Sequence, residues 1–128
     1  MTVGGLRLTS RDLAKVAWMM ADHGRWRGRQ VLAPAWLDRM LTSYAKPDAE
    51  HDYGYFIWGI TYATTCGPVP AWYMAGNGGN AIVILKDLGA AVVVTRMNYN
   101  THGMHDQTID LMQRYVLPSI ACKGAARL

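Results

Sequence analysis

The sequence predicts an α+β fold: an antiparallel sheet of three to four strands flanked by helices. Three observations carry that expectation. Two amphipathic helical stretches, each with its own start signal, fall between residues 9 and 41. Two apolar runs, residues 81–85 and 90–95, are joined by the short link Lys86-Asp87-Leu88-Gly89, which reads as an antiparallel hairpin with a Gly-containing turn. A last helical stretch covers about residues 105–117. Helices that precede and follow a block of strands, rather than alternating with them, place the sheet in the antiparallel class.

Taken in order, Thr9-Ser10-Arg11-Asp12 fits a capping box, with Thr9 capping and Asp12 reaching back. Leu13, Val16, Ala17 and Met20 then share one face at helical spacing. Gly24 ends this helix as a left-handed residue. Residues 25–31, with Gly28 at their middle, read as a small hairpin or tight loop. Pro34 suits the first turn of a second helix whose apolar positions are Trp36, Leu37, Met40 and Leu41. Residues 42–52 are polar, contain Pro47 and form a loop. Tyr53-Gly54-Tyr55-Phe56-Ile57-Trp58-Gly59-Ile60 is aromatic and β-branched, which suits a strand. Gly67-Pro68-Val69-Pro70 reads as a turn or loop, and residues 72–75 as a further strand. The runs 81–85 and 90–95 are apolar throughout, so both faces of the sheet are expected to be covered. In the final helix Ile109, Met112 and Val116 face inward, and Pro118 is its stop.

Composition narrows the function classes. With 51% hydrophobic and 17% charged residues, the 128-residue chain is globular rather than disordered. No apolar run reaches the length of a membrane span. Met1-Thr2-Val3-Gly4-Gly5 lacks the charged start and apolar stretch of a signal peptide, which leaves the compartment open. The net charge is +4, and the basic residues cluster mildly in Arg25-Trp26-Arg27-Gly28-Arg29. Three arginines around a tight turn read as a solvated hairpin rather than a nucleic-acid site, so no nucleic-acid partner is expected. Cys66 and Cys122 have no ligand-like spacing; they read as buried thiols and leave the redox compartment undecided. His102 and His105 are three apart, but Gly103 lies between them and no third ligand is evident, so neither a metal nor a cofactor is expected.

The order of elements, together with a series of short words, resembles the C-terminal third of the serine β-lactamase-like (penicillin-recognising) hydrolases. The words are Gly4-Gly5-Leu6 leading into Thr9-Ser10-Arg11-Asp12-Leu13-Ala14, then Gly24-Arg25-Trp26-Arg27-Gly28-Arg29-Gln30-Val31-Leu32-Ala33-Pro34-Ala35-Trp36, then Tyr53-Gly54-Tyr55. The cluster Gly76-Asn77-Gly78-Gly79-Asn80 and a last hairpin ending in Asn98-Tyr99-Asn100 complete the series. The resemblance runs from about Gly4 to Leu117. It implies that residues 1–128 form a single partial domain, the C-terminal portion of a β-lactamase/transpeptidase-like fold. The superfamily includes class C β-lactamases, D-Ala-D-Ala peptidases, esterases and amide hydrolases, so the implied substrate is a small ester or amide.

The chemistry of this superfamily needs a Ser-x-x-Lys nucleophile and base, a Tyr-x-Asn or Ser-x-Asn loop, and a Lys-Thr-Gly-like strand. The resemblance places the third element at Asn77-Gly78-Gly79, as substrate-binding residues of one cleft wall, with the backbone N–H of Asn80 as one oxyanion-hole donor. Glycines let an acyl group lie close against the backbone, and one such donor is typically worth ~10²–10³ in rate. Asn77 stands where the motif has lysine and Gly78 where it has a hydroxyl residue. The cationic anchor for a substrate carboxylate is therefore absent, which favours an esterase-like or amidase-like parent. Taken without the resemblance, the same glycine cluster reads as a turn between strands.

No Tyr-x-Asn or Ser-x-Asn occurs in the chain. The one Ser-x-x-Lys, Ser43-Tyr44-Ala45-Lys46, is followed by Pro47, which pushes Lys46 out of helical geometry and away from the required single face. The chain is therefore expected to lack the nucleophile and to be inactive alone. It would pair with a missing N-terminal half, or with a second copy, through an exposed sheet edge. Trp72, Tyr73 and Tyr62 read either as an acyl pocket or as core packing.

Overall fold

A computed structural model describes residues 5–122. Helix α1 (Ser10–Ala21) starts at Thr9 as expected: the Thr9 hydroxyl oxygen accepts from the Asp12 N–H at 3.2 Å, and Asp12 reaches back to the Thr9 hydroxyl, which donates to its carboxylate at 2.7 Å, rather than to the Thr9 backbone N–H of a full capping box. Its buried stripe is Ala17, Met20 and Ala21. Val16, expected to face inward, lies on the flank of that stripe and is exposed, because successive helical positions rotate by about 100°. The helix closes in a Schellman arrangement, Gly24 N–H donating to Met19 carbonyl at 2.8 Å. The left-handed residue at its end is His23 (φ 53°), with Gly24 (φ 83°) following it. Gly24 is nonetheless obligatory: a Cβ there would lie 2.4 Å from the Leu32 carbonyl oxygen.

Strands β1 (Arg25–Trp26) and β2 (Arg29–Gln30) form the expected small hairpin, and helix α2 (Pro34–Met40) begins at its proline. Of the apolar positions in and just after α2, Leu37 is buried and Met40 and Leu41 pack against the core, while Trp36 stays half exposed against Tyr55.

Among the described residues, β3 (His51–Tyr53), β4 (Trp58–Thr64), β5 (Gly67–Gly76), β6 (Asn80–Leu85) and β7 (Ala90–Val94) form one antiparallel sheet in sequence order. The α+β class holds, but the sheet has five strands rather than three or four, because one expected strand is divided in two. The aromatic run 53–60 is not one strand. It folds back at Gly54, whose N–H donates to the Ile57 carbonyl at 2.8 Å, and Phe56 takes a left-handed conformation (φ 55°). Gly54 is forced by close approach, since a Cβ there would lie 2.2 Å from the Met40 carbonyl oxygen.

The second correction concerns residues 67–70, which are not a loop but the first part of β5, opposite residues 61–64 of β4. Pro68 and Pro70 are two apart, so both missing N–H groups fall on the same side of the strand. That side needs no donors there, because β6 pairs β5 only from Trp72 onward. The real turn is Thr65-Cys66.

The last helical region runs α3 (Asp106–Leu111), a π-helical turn (Met112–Val116) and α4 (Leu117–Ala121). Pro118 therefore does not stop the helix. It follows the widened turn, which relaxes the normal hydrogen-bond pattern where proline lacks a donor, and it sits in the first turn of α4.

The core has two parts on opposite faces of the sheet, as strand alternation dictates. Tyr62, Val69, Ala71, Ala81, Val83 and Leu85 pack with Met112 and Leu117 of the last helical region, joined by Ile109 and Val116. Ile84, Trp72, Met74 and Ala91 pack with Met20 and Ala21 of α1 and Leu37 of α2. Both faces of the β5–β7 hairpins are covered, as their uninterrupted apolar runs require. Trp72 and Tyr73 face opposite sides, and Tyr62 is 2% exposed, so the three do not line one acyl pocket. Cys66 and Cys122 are not buried thiols: they form a disulfide, Cα–Cα 5.7 Å, tying the β4–β5 turn to the end of α4.

Candidate functional site

A cleft of about 800 Å³ opens where the ends of β5, β6 and β7 meet the start of α1. It is lined by Leu6, Leu8 and Leu13, by residues 74–76 and 80–82, and by residues 94–97 with Tyr99. Its lining is mainly apolar. The polar residues of its lining are Thr9, Ser10 and Thr95, the last two with hydroxyls 3.1 Å apart, together with Asn80 and Arg96. Leu6, Met97 and Tyr99 on the rim are largely exposed.

The glycine cluster is the turn between β5 and β6, with Gly76 opposite Asn80. It contributes Gly76 and Asn80 to the cleft lining, while Asn77, Gly78 and Gly79 lie outside it. Gly78 and Gly79 are buried, with φ of 92° and 83°. A Cβ on Gly78 would lie 2.9 Å from the Tyr99 ring, and one on Gly79 would lie 2.5 Å from the Met104 carbonyl oxygen. Both glycines are thus required by the turn itself.

The polar groups of the turn are satisfied from behind. Gly78 N–H donates to the Met104 sulfur at 3.1 Å, Gly78 carbonyl accepts from Asn98 N–H at 3.2 Å, and the buried Thr108 hydroxyl donates to Gly79 carbonyl at 2.7 Å. Asn77 and Asn100 exchange two hydrogen bonds, side-chain N–H to carbonyl oxygen at 2.8 Å and backbone N–H to carbonyl oxygen at 2.9 Å. The Asn80 amide donates to Asn77 carbonyl at 2.5 Å and accepts from Arg96 N–H at 2.9 Å. Asn98 and Asn100 therefore buttress the turn. Sequence reasoning missed the supporting set Met104 and Thr108. Thr108 is four residues before the inward-facing Met112 on the same helical face, and that spacing was the available signal.

The Ser43 hydroxyl faces a carboxylate rather than a free lysine. The residue lies beyond the end of α2, and its hydroxyl donates to Asp52 Oδ1 at 2.7 Å, while Lys46 Nζ sits 3.2 Å from the same oxygen. The Ser43 hydroxyl, and then Lys46, hold the Asp52 carboxyl below its ordinary range, which makes it a weak base. Lys46 is committed to that carboxylate rather than to the serine. Ser10 bonds only Thr95 among the described residues, with no imidazole, lysine or carboxylate on its hydroxyl. Among the described residues no group of three His, Cys, Asp or Glu converges as a metal site.

No model of a known protein family matches this chain, and no curated protein matches it.

Proposed function

We propose that this chain is the C-terminal portion of a serine β-lactamase-like hydrolase and forms one wall of an ester- or amide-binding cleft. One observation carries the reading: the cleft runs along the ends of β5–β7 and stops at the Gly76–Asn80 turn, where the resemblance to that superfamily puts the oxyanion-side wall. The apolar lining suits the acyl part of a small substrate. At its end Gly76 removes side-chain bulk, so a carbonyl can approach the backbone beside Asn80. Asn80 N–H is assigned as one of two oxyanion donors. Asn77, Gly78 and Gly79 act behind the wall, shaping the turn that presents Asn80. The nucleophilic serine and its base come from outside these residues, because Ser43 and Ser10 lack a poised base and the Ser119 hydroxyl donates to the Val116 carbonyl within its own helical region.

A titration of the isotope-labelled chain with a short-chain acyl ester, followed by NMR, tests the cleft. Amide shifts should concentrate at Gly76, Asn80, Ala81 and Thr95, and an Ile82→Trp variant that fills the cleft should suppress them. Shifts elsewhere, or none at millimolar ester, would overturn the assignment. In parallel, a serine-reactive fluorophosphonate should leave the intact mass unchanged. A stoichiometric adduct lost in Ser43→Ala would make the chain a hydrolase in its own right.

A second reading, a non-catalytic association domain, is favoured by β7, whose outer edge is unpaired among the described residues. It requires a dimer by light scattering at micromolar concentration; a monodisperse monomer excludes it.

A further inference from the structure

We propose that the β1–β2 hairpin is a docking surface for anionic lipid bilayers, independently of any catalytic role of the cleft. The hairpin is held rigidly. Val31 and Leu32 N–H both donate to Gly24 carbonyl, at 2.9 and 3.1 Å, and the Gln30 amide donates to the carbonyls of His23 and Leu32 at 2.8 and 2.5 Å. Arg27 (φ 50°) and Gly28 (φ 77°) make the tight tip. Arg25 lies on one side of the ribbon, Trp26 and Arg29 on the other, and Arg27 at the tip.

Two features give this surface a partner. The first is charge. Asp12, Asp38, Asp48, Asp52 and Asp110 each pair with a basic side chain elsewhere in the fold, whereas Arg25, Arg27 and Arg29 make no ion pair among the described residues. Asp22 borders the same hollow but is not paired with them. The second is indole. Trp18 is 59% exposed and meets Trp26 edge-on at 5.8 Å, and the Arg27 guanidinium lies 5.6 Å over the Trp26 ring.

Indoles beside guanidiniums match the headgroup layer, where Trp sits at the interface and Arg meets lipid phosphate. A nucleic acid fits less well. Base stacking needs a free aromatic face, and Trp26 already carries Arg27 on one face and Trp18 against its ring. Arginines on both sides of a narrow ribbon suit entry tip-first into a headgroup plane.

Co-sedimentation of the chain with phosphatidylglycerol/phosphatidylcholine vesicles, against phosphatidylcholine alone, tests this at low ionic strength. Binding should need the anionic lipid, weaken with added salt, and shift the tryptophan emission to the blue in the native chain but not in a Trp18→Phe/Trp26→Phe variant. Replacing Arg25, Arg27 and Arg29 together by Gln should lower partitioning about five-fold per arginine, on the order of a hundredfold in all; replacement by Lys should retain most of it. If the Gln variant loses its circular dichroism, the Lys variant and the salt series decide. Equal binding to both vesicles, binding indifferent to salt or to the three arginines, or tight oligonucleotide binding without vesicle binding would overturn the proposal.

Discussion

Removing the Cys66–Cys122 disulfide should destabilise the chain more than any ordinary surface change. The bond spans 56 residues and joins the β4–β5 turn to α4, whose Leu117 is completely buried in the core beside Met112. Closing a loop of that length in the unfolded chain removes entropy worth about 4 kcal/mol at 25 °C by the chain-entropy relation. For a domain of this size each kcal/mol moves the melting midpoint by roughly 3–5 °C, so reduction should lower it by about 12–20 °C. The assay is thermal unfolding followed by circular dichroism, comparing the oxidised chain, the chain in excess reductant, and a Cys66→Ser/Cys122→Ser variant. The two thiol-free or reduced forms should melt together, well below the oxidised one. Chain made in a reducing cytoplasm should behave as the less stable form. The reasoning fails if reduction leaves the midpoint unchanged, or if both cysteines are alkylated without prior reduction.

Two further outcomes follow from the same geometry. Gly79→Ala should cost at least about 2 kcal/mol in urea unfolding, because it combines a left-handed backbone with a collision at the Met104 carbonyl oxygen; a cost near zero would show that the turn is not built as described. Stability should also fall at both ends of the pH scale. Asp12, Asp38, Asp48 and Asp52 are held below the ordinary carboxylate value of 3.8, chiefly by Lys15, by Lys86, by the Glu50 N–H and by the Ser43 hydroxyl respectively. Their contribution is present above that value and is lost as pH drops through the lower native ones. Burial, and then Tyr73, raise the Tyr62 phenol above its ordinary 10.0, so the unfolded chain ionises first and stability falls as pH rises past that value. Denaturant midpoints measured across pH should fall toward both extremes; a midpoint that rises below pH 3.8 would contradict the carboxylate pairing.

The fold class and most of the helical elements were legible in the sequence because their causes are local. Thr9 and Asp12 set the start of α1, Pro34 the start of α2, and the apolar runs 81–85 and 90–95 announced strands covered on both faces. What the sequence obscured depended on partners distant in the chain. Gly54 breaks an aromatic strand because Met40 approaches it, and Pro68 and Pro70 sit inside a strand because β6 begins its pairing only beyond them. Cys66 and Cys122 meet only once α4 is docked.

The candidate site divides in the same way. The glycine cluster marked a special backbone, which residue type alone can signal, since only glycine takes left-handed angles at little cost. Which of its members would face a cleft was not written there. Tertiary structure turned Gly76 and Asn80 toward the cleft and set Gly78 and Gly79 against Tyr99, Met104 and Thr108. Local propensity and hydrogen-bond caps act over a few residues and are therefore read from the chain. Close approaches between backbone segments are set by how the layers pack, and a single sequence carries that information only through its folded form.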